Sequence, residues 1–299
     1  MTTTNELDIA TKVVDTRKAI EKWQSEVQVS LSDDYKNYMV EGDERIDSNL
    51  HLPRVTQING VLEQKGLRYV AMNAALDYVE EHIGETSVEA LIEGARGESE
   101  RRRDGAANFG SRAHALLNYL ARDPNYKVDP EFDEVVRGWE KFKTEMNLEI
   151  LATEIPLYCH DTNGSVPITF AGTADLLGMD GDGNFVIVDY KTGSGLRATD
   201  ALQQVAYSLA LAYCGIGNFM DARDAVSMRA FVVRFPSELC EDPCTVHKKP
   251  KDCETEFDPK VHIKEVKEVV TQQEFFVATA KMRAWKSGRS NKWVRRSNR

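Results

Sequence analysis

Gly172-Thr-Ala-Asp175-Leu-Leu-Gly-Met-Asp180-Gly-Asp182-Gly-Asn184-Phe185-Val-Ile-Val188-Asp189-Tyr190-Lys191 is the stretch on which the reading of this chain turns. It follows an apolar segment from Ile168 to Leu177 that is rich in β-branched residues. Phe185 to Val188 is continuously apolar, which suits a strand buried on both faces. Between the two, Asp180 to Asn184 consists of residues that tolerate positive φ, so a hairpin turn is predicted. A period of two in the second strand puts Asp189 and Lys191 on one face and Tyr190 on the other. Two carboxylates, Asp175 and Asp189, then meet one lysine at the hairpin. Such a set can bind a hard divalent cation and activate water beside it, a chemistry that hydrolyses phosphodiesters. Asp180, Asp182 and Asn184 have the spacing that opens a calcium loop. That loop fails further on, because Phe185 stands at its glycine position and Lys191 at its terminal glutamate position. Those acids are read as turn formers.

Outward from the hairpin, the 299 residues are 41% hydrophobic and 29% charged, within the range of one large globular domain or two small ones. No run of 18 apolar residues occurs, so no membrane span is expected. The polar, acidic start resembles neither a secretory signal nor a transit peptide, and a cytoplasmic location is expected. A net charge of -10 weighs against broad, non-specific nucleic-acid binding. The charge is uneven, however. Lys281, Arg283, Lys286, Arg289, Lys292, Arg295, Arg296 and Arg299 close the chain without an intervening acid. This tail is either a phosphate-contacting arm, with Trp285 and Trp293 to stack on bases, or a solvated terminus. The five cysteines form no even set, which argues against a disulfide framework. Cys240, Cys244 and Cys253, with His247 among them, are a candidate zinc or iron–sulfur site of unusual spacing.

The remaining pattern places these motifs on elements. Residues 5–30 read as an amphipathic helix with Ile9, Val13, Ile20, Trp23 and Val27 on one stripe. Residues 31–53 read as an acidic linker, and Thr56 as a helix cap. Helices are predicted over Leu67–His82, Ala106–Leu120, carrying His114, and Asp129–Thr144. Leu148–Tyr158 reads as a strand carrying Glu154. After the hairpin come a helix over Asp200–Tyr213 closed by Gly215, a strand over Arg229–Phe235 and a further strand over His262–Val270. Thr271 and Glu274 form a capping box that opens a last helix. The order predicts an α/β fold, a mixed central sheet flanked by helices with a helical N-terminal region.

Taken together, His114 on a helix, Glu154 on a strand, Gly172-x-x-Asp175, Asp189-Tyr190-Lys191-Thr192 and Gln203-x-x-x-Tyr207 resemble, in order and spacing, the PD-(D/E)XK nuclease superfamily, in particular its RecB-like branch. That branch includes CRISPR-associated and phage exonucleases. The likeness covers roughly residues 51–286. It implies a helical extension and linker over 1–50, a nuclease domain over 51–286 and a basic tail over 287–299. By resemblance, His114, Asp175 and Asp189 with the carbonyl of Tyr190 hold Mg²⁺ or Mn²⁺. Glu154 would hold a second metal or a water beside the first, and Lys191 would orient the attacking water. Gln203 and Tyr207, on one helix face, would stand near the site or the DNA backbone. Relatives with an iron–sulfur cluster carry a cysteine before the helical histidine, and none precedes His114 here. No Walker A motif is present, so no motor is built in.

The resemblance implies a metal-dependent exonuclease acting on DNA ends or single strands. It would work in recombination, repair or phage DNA processing, in a bacterium or a phage-infected cell, with recombination or single-strand-binding proteins as partners. A structure-specific endonuclease and a non-catalytic nucleic-acid-binding module on the same fold are the alternatives.

Overall fold

The computed structural model describes residues 2–33, 36–62, 66–84, 86–163, 168–192, 197–215, 228–235, 262–267 and 269–286. The cysteines Cys240, Cys244 and Cys253 and the basic residues Lys292, Arg295 and Arg296 lie outside these ranges.

At the centre is a five-stranded mixed sheet in the order β4-β5-β6-β7-β8. β4 (Glu149–Asp161) and β5 (Ile168–Met179) form a long antiparallel hairpin, and β5 pairs antiparallel with β6 (Phe185–Lys191). β6 pairs in parallel with β7 (Arg229–Arg234), which pairs antiparallel with β8 (His262–Glu265). The β6–β7 step is parallel, so a crossover has to connect them. α6 (Ala198–Cys214) lies in that connection. Gly215, at φ 60°, ends α6 by donating its N–H to the Leu211 carbonyl, as the sequence predicted.

Helices cover both faces. On one face α4 (Val88–Arg122) and α5 (Asp133–Glu145) bury Leu117, Val135, Trp139 and Phe142 against Leu176, Val186, Val188, Phe231 and Val233. The other face packs α6 and the C-terminal helix α7 (Val269–Lys286) against Ile155, Leu157, Phe170, Ile187 and Val232. Phe185 to Val188 are all buried, as a strand covered on both faces requires.

The N-terminal region differs from the prediction. α1 (Thr2–Glu26) is the expected helix, and Val13, Ile20 and Trp23 are its buried stripe. The last residues of the expected helix and the expected linker instead form a three-stranded antiparallel sheet of β1 (Gln28–Leu31), β2 (Asn37–Glu41) and β3 (Leu52–Pro53). Tyr38 and Val40 alternate with more exposed neighbours and enter the core. An acidic residue of the same segment ties it down. Asp43 accepts hydrogen bonds from the Arg45 guanidinium and the Tyr158 hydroxyl, and Arg45 lies 4.6 Å from the Tyr213 ring centre. Burial alone would raise the Asp43 pKa, but these hydrogen bonds outweigh it and bring it to about 2. Strands this short carry too little alternation to be read from sequence.

Two helix starts also differ. Thr56 sits inside α2 (Val55–Asn59), where Arg54 holds the capping position, and Thr271 sits inside α7, which opens at Val269. The strand before α7 stops at Glu265, short of the expected Val270. α3 (Gly66–His82) falls where it was predicted and packs along the N-terminal part of α4. No helix among the described residues is long and apolar enough to cross a membrane.

Candidate active site

The site forms where two strands part. β5 and β6 pair from Met179↔Phe185 to Leu176↔Val188, and β6 then runs on beside β7 as far as Lys191↔Arg234. At the point of parting, a side chain takes over from the ladder: Asp175 Oδ2 accepts the Tyr190 backbone N–H at 2.6 Å. Beyond it, the edge of β5 turned towards the parting meets the N-terminal sheet. Arg54 bridges Ala171 in parallel, and the Tyr38 hydroxyl lies 3.1 Å from Thr173 Oγ1.

Both strands break their alternation at this level. In β5, Ala174 joins the α6-side cluster, whereas Leu176, two residues on, joins the α4-side cluster. In β4, Ile155 faces the α6 side, whereas Thr153 hydrogen-bonds Asn118 of α4. A regular strand would put each pair on one face. The slips fall at Asp175 and Glu154, which lie opposite one another between the pairs Thr153↔Leu176 and Ile155↔Ala174. Glu154 accommodates its slip with φ at 49°, in the left-handed region that side chains rarely adopt.

α4 brings one stripe to this level: Gly110, His114 and Asn118, spaced four residues apart on one face. A Cβ at position 110 would stand 3.0 Å from Thr192 Oγ1, so glycine lets α4 approach the end of β6. His114 Nδ1 lies 3.4 Å from Asp175 Oδ1. One ligand atom each from His114, Glu154 and Asp175 falls within 4.8 Å of the others. One nitrogen and two carboxylate oxygens, converging in this way, fit a divalent cation.

The electrostatics carry the same signature. Burial raises the Glu154 pKa, and the neighbouring charge of Asp175 raises it further. Burial also pushes Asp189 upward, opposed by Lys191. At His114 burial disfavours the imidazolium, but the hydrogen bond and charge of Asp175 outweigh it and the pKa rises. Asp175 and Glu154 repel one another, and a bound cation would offset that repulsion.

Asp189 lies outside the histidine–carboxylate trio. It is buried, and the Lys191 ammonium meets its Oδ2 as a charge contact. Burial would lower the Lys191 pKa, yet Asp189 raises it above the ordinary value, so the ammonium stays charged. Tyr190 points to the opposite face, as predicted, with its ring edge-on to His114 and Trp139. On α6, Gln203 Nε2 donates to the Tyr207 hydroxyl at 3.0 Å. The Tyr207 ring closes over Gly172: a Cβ there would stand 2.7 Å from Tyr207 Cε1, which explains the glycine of Gly-x-x-Asp. Burial raises the Tyr207 pKa, and the charges of Asp189 and Asp175 add to it.

The hairpin acids are turn formers, as expected. Asp180 Oδ1 accepts the backbone N–H groups of Asp182 at 3.1 Å and Asn184 at 2.9 Å, and Oδ2 accepts from Arg229 at 2.9 Å. Two residues at the site escaped the sequence reading. Asn118 stood one helical turn after His114, a legible signal, whereas Tyr38 lay in the supposed linker and gave none.

The model of the PD-(D/E)XK nuclease superfamily matches residues 78–288. Among solved structures, that of SSO0001 shares 11% identity with this chain at a TM-score of 0.29, covering 76% of this chain and 83% of that one. No curated protein matches. The family match spans more than half of the chain and contains the parted strands, the His114 helix and the Gln203–Tyr207 face, and the chain belongs to the PD-(D/E)XK nuclease superfamily.

Proposed function

We propose that this chain is a Mg²⁺- or Mn²⁺-dependent deoxyribonuclease that removes nucleotides from DNA ends. The observation that carries the reading is the convergence of His114, Glu154 and Asp175 beside the Asp189–Lys191 pair. His114, Glu154 and Asp175 would hold the cation, with Asp189 at its border. The cation, when bound, supplies a Lewis acid that polarises the phosphoryl group and makes water a better nucleophile near neutral pH.

The chain's own residues do the rest. Lys191, whose ammonium Asp189 favours, would orient the attacking water and offset charge on the phosphate. Tyr190, itself packed against Trp139, sets its ring edge-on to His114 and holds the imidazole in place. Gln203, held by the buried Tyr207, stands on the neighbouring face of α6, where its amide would meet the DNA backbone. In-line attack of water on phosphorus breaks the bond to O3′ and leaves a 5′-phosphate and a 3′-hydroxyl. Action from ends is supported by the resemblance of the motif series to RecB-like exonucleases, whose settings are recombination, repair and phage DNA processing.

The test uses end-labelled linear and closed circular DNA, single- and double-stranded, with Mg²⁺ or Mn²⁺. Linear substrates should be shortened from their ends while circles persist. Lys191→Ala should lower turnover by about 100-fold or more. Cleavage of closed circles would establish an endonuclease instead, and no cleavage of any substrate would leave a binding module on a nuclease fold.

A further inference from the structure

Glu154 presents its carboxylate from a backbone conformation that a glutamate does not adopt on its own. Its φ of 49° is left-handed, in the middle of a strand, without a glycine to make it easy. Such a conformation persists only where the surroundings over-determine it. The strand is paired with β5 before and after it, Thr153 with Leu176 on the α4 side and Ile155 with Ala174 on the α6 side, so the change of face falls at Glu154 itself. On that face α4 adds a tether, because the Thr153 hydroxyl donates to the Asn118 Oδ1. Asn118 stands four residues after His114 on the same helix face, so one helical turn carries both a member of the trio and the amide that anchors the neighbour of another.

We infer that Asn118 is a positioning residue for the metal site: by holding Thr153 it keeps Glu154 in the left-handed turn that aims its carboxylate at His114 and Asp175. The inference rests on the reading of that trio as a cation site. Its chemical logic is that of an outer partner that orients a ligand without touching the ion, where substitution lowers metal affinity about 10-fold or more.

Asn118→Ala, Thr153→Val and their double variant would be compared with Thr153→Ser, which keeps the hydroxyl. Metal-free protein is titrated with Mn²⁺ by calorimetry, and DNA cleavage is followed as a function of Mn²⁺ concentration. Asn118→Ala and Thr153→Val should each weaken Mn²⁺ binding about 10-fold, with no further loss in the double variant. Thr153→Ser should bind as the wild type does. Turnover at saturating Mn²⁺ should return to near the wild-type value, a split that a general packing defect would not produce. A folded Asn118→Ala protein with wild-type Mn²⁺ affinity overturns the inference. If the wild type itself binds no Mn²⁺, the cation-site reading fails, and the role of Asn118 is decided by urea unfolding. Asn118→Ala should then lower the midpoint in the Glu154 background and much less in Glu154→Gly, because glycine needs no holding. Equal shifts in the two backgrounds would show that Asn118 does not hold the turn.

Discussion

Asp175 accepts the Tyr190 N–H through Oδ2 while its Oδ1 faces His114, so its two oxygens have separate roles. Asp175→Asn keeps an acceptor for the Tyr190 amide and should fold with near wild-type stability while losing Mn²⁺ binding and cleavage. Asp175→Ala removes that acceptor as well and should cost about 1–3 kcal/mol in urea unfolding, because a buried N–H is left unpaired. Equal stability of the two variants would argue against a structural role for Oδ2. The titrating groups give a second prediction. Glu154 and Asp189 have raised pKa values through burial, and His114 is raised by Asp175. Each binds its proton more tightly in the folded than in the unfolded chain, so metal-free stability falls as pH rises from the ordinary carboxylate range through these raised values. Asp43 and Asp180 are depressed and act in the opposite sense, but they finish titrating at or below the ordinary carboxylate range; His160, depressed by burial, also opposes within the window, as one group against the three of the site. With chelator present, the melting temperature should therefore fall between about pH 5 and pH 8, and Mn²⁺ should reverse the slope because it competes with those protons. A metal-free melting temperature that rises over that range would show that the site is not the dominant titrating cluster.

At the scale of elements, contact between β5 and α6 decides where the Gln203–Tyr207 face stands. Gly172→Ala would push a Cβ into the Tyr207 ring, which is buried against the sheet and has little room to yield. About 1–3 kcal/mol of stability should be lost and Gln203 displaced with its partner, seen as a raised KM for DNA. An unchanged KM would separate that face from the substrate. Elements of this kind were legible where a long run carried one period. Phe185 to Val188, the stripe of α4 around Leu117, and Gly215 after α6 all fell where pattern and turn chemistry put them. The N-terminal sheet was not legible, because strands of four, five and two residues in an acidic segment are stabilised by contacts distant in sequence, such as Asp43 with Tyr158. The inward turn of Glu154 was hidden for a related reason. Strict alternation takes Thr153 and Ile155 to one face, and only their packing on different helices shows that they part. Asp175, Asp189 and Lys191 were legible as a set, but their division into a trio member and an ion pair needed the third dimension.

Over the whole molecule, the family match begins at residue 78, yet the core reaches well before it. Val13, Ile20, Trp23, Val40, Leu52, Val55 and Ile58 are buried in the same cluster as Ile155, Phe170 and Val205. Each such side chain contributes about 1.5–3 kcal/mol by burial, against a total stability of about 5–15 kcal/mol. A chain beginning at residue 63 should therefore aggregate or unfold without a cooperative transition, as read by calorimetry and size-exclusion chromatography. A soluble truncation with a sharp transition would show that the first 62 residues are an appendage. The two oxygens of Asp175 also have an evolutionary consequence. On the proposed mechanism, selection for cutting and selection for folding fall on the same carboxylate, whereas at Glu154 they oppose one another, since the backbone there favours glycine. A descendant freed from its substrate would drift quickly to glycine at 154 and still hold aspartate or asparagine at 175, and that asymmetry would mark lineages in which the chemistry has been abandoned.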